Sequence, residues 1–287
     1  MRANGRLDLS IANGVLGAQG REARGVMQLD MRVAGRLPSP VVTGAIDLQK
    51  AEFQDFAQGV RLSDINGRIV GEKDHIVIQS LTAKAGKGTI GVAGSAGVLA
   101  PGMPVDVRIT AKNASPVASD LLTAAFNADI AIKGQATTRI DVDGNVNLQK
   151  VNVNIPSSLP TSVAQLDVIR PGQQVAAPAE HTEEAHAVVI GLDLQVISPG
   201  MFYVRGHGLD AEMAGNLLIK GTASNPNITG GFDLKRGNFD LAGISLNFTR
   251  GRVAFNGSGV SHKLDPTLNF EADRSVQGRV AMLKVEG

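Results

Sequence analysis

The sequence contains no cysteine. That excludes disulfides, thiolate catalysis and zinc held by cysteine. It has no tryptophan and one tyrosine, and aromatics make up only 3% of its 287 residues. A buried surface must therefore come from Val, Ile, Leu and Ala, and base stacking, the usual grip on single-stranded nucleic acid, finds few rings. Neither charge sign dominates, with 28 Lys and Arg against 27 Asp and Glu. Such a balance creates no field that favours nucleic acid or an anionic membrane surface. No stretch approaches the ~20 apolar residues of a membrane-spanning helix. The opening residues lack the apolar run and cleavage site of a signal peptide. The sequence starts inside a strand-like pattern and stops inside another, Val280 to Gly287. We therefore expect a segment of a longer, anchored chain.

What the sequence does have is alternation. Apolar residues make up 43%, and they fall at every second position. Leu7, Leu9 and Ile11 alternate with Asp8, Ser10 and Ala12, and Met27, Leu29, Met31 and Val33 with Gln28, Asp30 and Arg32. Val105, Val107 and Ile109 do the same, as do Val151, Val153 and Ile155. Neighbouring side chains on a strand point to opposite faces, so each run has one apolar and one polar face. Turn residues punctuate the runs every ~8–12 positions, which is an all-β pattern. Helical periodicity is nearly absent. The only candidate helices are Val117–Phe126 and Val163–Ile169, and each reads equally as strand or loop. A Pro-rich stretch, 156–186, reads as a linker or mobile excursion. It divides a β-rich segment, 1–155, from a more sharply patterned one, 187–287.

Side-chain parity can be followed through the last hundred residues. Phe232 and Leu234 are apolar at even positions; after Gly237 the parity changes to Phe239 and Leu241. Ile244, Leu246 and Phe248 follow, then Val253 and Phe255 after Arg250-Gly251, then Leu268 and Phe270. A slip of one residue would move a whole strand to the wrong face, so each change marks a turn or bulge. These eleven residues are the expected lining of one apolar surface. The plain alternative is an ordinary core, with two sheets packed face to face.

No motif carries convincing chemistry. Gly86-Lys-Gly88-Thr-Ile-Gly91 has dinucleotide-fingerprint spacing but lacks the helix that would hold a pyrophosphate, so it reads as a Gly-rich strand turn. His181, Glu183, Glu184 and His186 form a cluster without the rigid support a metal site needs. His75, His207 and His262 are isolated, and Gly257-Ser-Gly259 lacks the setting of a nucleophile elbow. We expect no enzyme activity, no cofactor and no metal.

The run from Leu192 to Leu217, LDLQVISPGMFYVRGHGLDAEMAGNL, resembles the TamB C-terminal domain family. So do Lys220-Gly-Thr-Ala-Ser-Asn-Pro-Asn, Arg236-Gly-Asn-Phe-Asp-Leu-Ala-Gly, Thr249-Arg-Gly-Arg-Val-Ala-Phe-Asn-Gly and Leu264-Asp-Pro-Thr-Leu, in the family's order. Ser119-Asp-Leu-Leu-Thr-Ala also fits, and the clear match covers about 187–287. The family belongs with the AsmA-like, bridge-like lipid transfer group. The resemblance implies a β-taco, a long curved antiparallel or solenoid-like sheet forming an open hydrophobic trough. It implies a periplasmic location within an inner-membrane-anchored protein of a Gram-negative bacterium. The implied partners are phospholipid acyl chains, the BamA-like outer-membrane barrel TamA and unfolded β-barrel clients, with no nucleic acid. The implied functions are phospholipid transport in outer-membrane biogenesis, or assistance in β-barrel and autotransporter assembly and protein secretion.

Overall fold

The computed structural model describes residues 2–36, 39–156, 188–241, 243–257, 265–276 and 279–287. Among the described residues, fifteen strands form one sheet. They are β1 (Arg2–Asp8), β2 (Arg21–Arg36), β3 (Ser39–Asp55), β4 (Val60–Lys73), β5 (His75–Ala85), β6 (Gly88–Gly97), β7 (Pro104–Ala114) and β8 (Leu122–Gln135). They continue with β9 (Arg139–Asn154), β10 (Val189–Gly206), β11 (Leu209–Thr222), β12 (Asn225–Leu241), β13 (Ile244–Asn256), β14 (Thr267–Val276) and β15 (Arg279–Glu286). Their order across the sheet is their order along the chain, and β1 and β15 lie at opposite edges. The all-β fold expected from alternation is present, and so is the unclosed, curved sheet that the resemblance implies. It is mixed rather than purely antiparallel, because β9 and β10 run parallel. That one pairing makes the sheet continuous from β1 to β15.

The alternation does what the strand period requires. Along β7, Val105, Val107 and Ile109 are half-buried while Asp106, Arg108 and Thr110 are exposed. The polar face carries cross-strand charge pairs. Arg108 Nε donates to Asp129 at 2.7 Å, Arg68 to Asp47 at 2.9 Å and Arg252 to Asp233 at 2.7 Å. Exposed pairs of this kind contribute little, because water and salt screen them. They fix register more than they add stability.

A crease runs across the sheet. Register shifts occur beside Gly25 in β2, Lys50 in β3, Asp64 in β4 and Asn113 in β7. They recur at Gln149 in β9, before Phe202 in β10, at Lys235 in β12 and at Thr249 in β13. The bulges on β2, β3 and β4 lie side by side, as do those on β9 and β10 and those on β12 and β13. Bulges bend and twist a strand, so a row of them folds the sheet about a line. Lys50, Asp64, Asn113 and Met201 sit in the left-handed region, with φ of 47°, 48°, 46° and 57°. An adjacent strand repairs the broken ladder with a side chain. Lys50 N donates to Asn66 Oδ1 at 2.9 Å, Asn113 N to Asn127 Oδ1 at 2.7 Å and Met201 N to Glu212 Oε1 at 3.1 Å.

The β5–β6 hairpin is short and stops near this crease. Beyond its tip the chain at Ser115–Ala118 closes the gap. Arg61 N donates to Pro116 O at 2.8 Å, Ala118 N donates to Gly59 O at 3.0 Å, and Val60 faces Val117. Gly86 and Gly88 turn this hairpin, and a Cβ at Gly88 would strike the Asn113 carbonyl. The Gly-rich strand turn is thus the right reading of that motif. Beneath it Ala85, Ala111 and Ala114 are buried and pack with Leu62, Ile90 and Phe126.

Three expectations need correction or placement. Val117–Phe126 is not a helix: Val117 and Ala118 form isolated bridges and Leu122 opens β8. The strand expected through Leu9 and Ile11 ends at Asp8. Its carboxylate accepts from Ser10 N at 2.9 Å, and short helical turns follow, including Asn13–Leu16. The Asn13 amide then grips Ala23 N and O at 2.8 and 3.0 Å, which anchors the turns to β2. The helix candidate Val163–Ile169, the cluster His181–His186, His262, Ser258–Gly259 and all of the 156–186 stretch but Pro156 lie outside the described residues.

Candidate functional site: an apolar chamber under the last six strands

Strands β10–β15 enclose a cavity of about 490 Å³ lined by fifteen side chains, all apolar and six of them Phe. It draws residues from both sides of the crease. Leu209 and Phe239 lie toward one rim, Phe255 and Leu268 toward the other. A flat sheet could not bring them to one space. The floor is a buried cluster of Ala211, Met213 and Phe232. Phe202 and Phe232 meet at 5.0 Å between ring centroids, and Phe248 meets Phe270 edge-on at 5.7 Å. Such pairs contribute about 0.5–1.5 kcal/mol beyond burial.

Of the eleven residues expected at the lining, the structure brings Phe232, Phe239, Phe248, Val253, Phe255, Leu268 and Phe270 to the cavity wall. Leu234 packs behind Phe232 in the same cluster. Leu246 is buried and pairs with Phe239. Leu241 and Ile244 sit at the β12–β13 hairpin, 52% and 50% exposed, at the rim. The parity changes come from bulges at Lys235 and Thr249, one on each of two paired strands, so both strands keep one apolar face. Gly251 has a separate job: it faces inward, and a Cβ there would collide with the Phe270 ring.

Sequence reasoning missed Phe202, Val204, Leu209, Ala211, Met213 and Leu217, together with Leu283 and Val285 on β15. The signal was present, since all of these sit in period-two pairs. The irregularity between Ser198 and Phe202 hid the first of them.

The opposite face is polar. Tyr203, Arg205, Asp210, Glu212, Arg236, Asn238 and Asn247 surround a shallow cavity of about 330 Å³. Arg205 lies over the Tyr203 ring at 4.7 Å and donates to Asp210 at 3.1 Å. Arg236 donates to Glu212 at 2.7 Å, and this bond, joined by the one from Met201 N, holds the Glu212 carboxyl below its ordinary range. These charges are matched among themselves. Among the described residues, no group of three or more His, Cys, Asp or Glu could hold a metal. The chamber wall offers only hydrocarbon and one thioether. It can bind, but it supplies no nucleophile, acid or base.

Residues 79–286 match the family model for the TamB C-terminal domain. The chain belongs to this family. No curated protein matches the sequence. The TamB match begins in β5, well upstream of the region whose motifs show it most clearly, and it takes in the whole chamber. TamB proteins belong to the Gram-negative envelope, are tied to outer-membrane assembly and partner TamA; the family is not one of enzymes. Among the described residues, no helix is long and apolar enough to cross a membrane.

Proposed function

We propose that this chain is a section of a hydrophobic trough that carries phospholipid acyl chains across the periplasm, between inner and outer membrane. The observation that supports this reading is the wholly apolar chamber on an unclosed sheet. An apolar surface left open on one chain marks a binding site. An acyl chain entering it gains about 0.8 kcal/mol per buried methylene. The gain is spread evenly along the chain, so a lipid is held without being locked to one spot. Phe248→Asp places a charge in that path at a desolvation cost of several kcal/mol. Lipid transfer between vesicles should fall while the circular dichroism stays β-rich. Transfer at the parent's rate would remove Phe248 from the path.

A second reading rests on a different observation. Among the described residues, no strand pairs with the outer edge of β15, where Val280 and Met282 are 62% and 68% exposed. Such an edge can accept a client strand by β-augmentation, which fits a scaffold for β-barrel assembly with TamA. Photo-crosslinkers at Phe255 and Met282 separate the two readings. Lipid adducts at Phe255 support the conduit, and protein adducts confined to Met282 support the scaffold.

A further inference from the structure

We infer that the hollow on the polar face of β10–β13 is a binding site for an uncharged glycan. This is independent of the lipid reading, because the hollow and the apolar chamber lie on opposite faces of the sheet. Three observations carry it. The first is the lining. The cavity of about 330 Å³ presents hydroxyl, amide, guanidinium and carboxylate groups, and none of its side chains is aliphatic. It therefore offers no apolar pocket to an acyl chain or to the side chains of a peptide. The second is charge. Arg205 is matched by Asp210, and Arg236 by Glu212. An anion would meet the two carboxylates and a cation the two guanidinium groups, so both are disfavoured.

The third is the hydrogen-bonding capacity left unused. Arg205, Asp210, Asn238 and Asn247 are successive cross-strand partners, so they form one row across four strands. Arg205 donates to Asp210 Oδ1, which leaves Oδ2 to accept. Among the described residues, the Asn238 and Asn247 amides have no partner, and each offers two donors beside an acceptor. Arg236 is hydrogen-bonded to the Tyr203 hydroxyl oxygen, which leaves the hydroxyl proton to donate. A sugar hydroxyl is a donor and an acceptor at once. A mosaic of unused donors and acceptors without net charge matches that chemistry. The mosaic is also preorganised. Arg205 lies over the Tyr203 ring at 4.7 Å, and these groups stand on strands, which hold a site more precisely than loops do.

The test uses the full chain. Tyr203 is its one tyrosine and it has no tryptophan, so tyrosine emission reports on this hollow alone. Chitotetraose and maltotetraose are titrated in turn, with calorimetry of the same mixtures. At least one sugar should give a saturable change in emission with a matching heat. Asn238→Ala and Asn247→Ala should each weaken that binding about five- to tenfold while the circular dichroism stays that of the parent. No binding of either sugar up to about 10 mM, or variants that bind as tightly as the parent, would overturn the site. So would a response to inorganic phosphate or to a β-barrel strand peptide with none to either sugar.

Discussion

Gly251→Val is the sharpest single perturbation of the chamber. Gly251 faces inward opposite Phe270. A Cβ there would lie 2.5 Å from Phe270 Cε1, closer still to Cδ1, and 3.0 Å from Leu234 Cβ. Carbon contacts settle at about 3.5–4.0 Å, so the ring must move by more than about 1 Å. Overpacking of this sort costs about 1–3 kcal/mol. Replacing glycine within a strand returns up to about 1 kcal/mol. Gly251 lies outside the left-handed region, so no backbone strain is added. The net loss should be roughly 0–3 kcal/mol in urea unfolding. The chamber is where the effect concentrates. The three added carbons project into the space bounded by Phe270 and Leu234, so lipid transfer between vesicles should fall. Adding Phe270→Ala removes the ring that is struck. The double variant should then be more stable than the two single losses predict, by about 1–2 kcal/mol for residues in contact. Additive stabilities together with unchanged lipid transfer would refute the assignment of Gly251 and Phe270 to this wall.

Other consequences can be measured independently. Asn66→Ala and Asn127→Ala each remove the side-chain acceptor of a bulge amide. Amide exchange at Lys50 and Asn113 should accelerate, with about 1 kcal/mol lost at each site; Asn127→Asp, which keeps an acceptor, should be milder. Val60→Cys with Val117→Cys places two thiols at a facing pair flanked by hydrogen bonds on both sides. A disulfide should form on oxidation and add about 2–4 kcal/mol, read from a non-reducing gel and urea midpoints, in a chain with no other cysteine. The Glu212 carboxyl is held below the ordinary 4.5 chiefly by Arg236. Its contribution is therefore complete above that value and is lost as the pH falls through the depressed one. Glu212→Gln should be less stable at neutral pH, show a flatter acid limb and converge with the parent at low pH.

The strands were legible because every second residue must face one way. Val105 to Ile109 and Phe232 to Phe270 could be assigned to a face with no coordinates. The crease was not legible. A glycine advertises a bend, but Lys50, Asp64 and Met201 adopt left-handed conformations with no local sign. What holds Lys50 and Met201 there is Asn66 or Glu212 on another strand. The parity changes were therefore placed at Gly237 and Gly251, while the irregularities lie at Lys235 and Thr249. The short helical turns after Asp8 were hidden for a related reason. Leu9 and Ile11 keep the strand alternation, and what overrides it is the Asp8 cap and the Asn13 clamp on Ala23. In the chamber, the half built by β12–β14 was foreseeable because its parity could be followed through each change. The part built by β10 was concealed by the irregularity that follows Ser198.

The strand order carries a consequence for how the molecule is made. Since every strand neighbours the one before it, each newly emerging stretch of chain finds its template already at the growing margin. Hairpin closures are local and entropically cheap, which favours rapid, progressive folding. The exception is β10. To run parallel with β9 it must start from the opposite rim, so it cannot join by a tight turn. Folding should therefore advance from the amino end in small increments, halt once at β9, and resume only after the far end of that strand has been reached. An amino-terminal fragment caught at that halt would display β9 as its bare margin, and this is the moment at which the growing sheet is most exposed to pairing with the wrong neighbour.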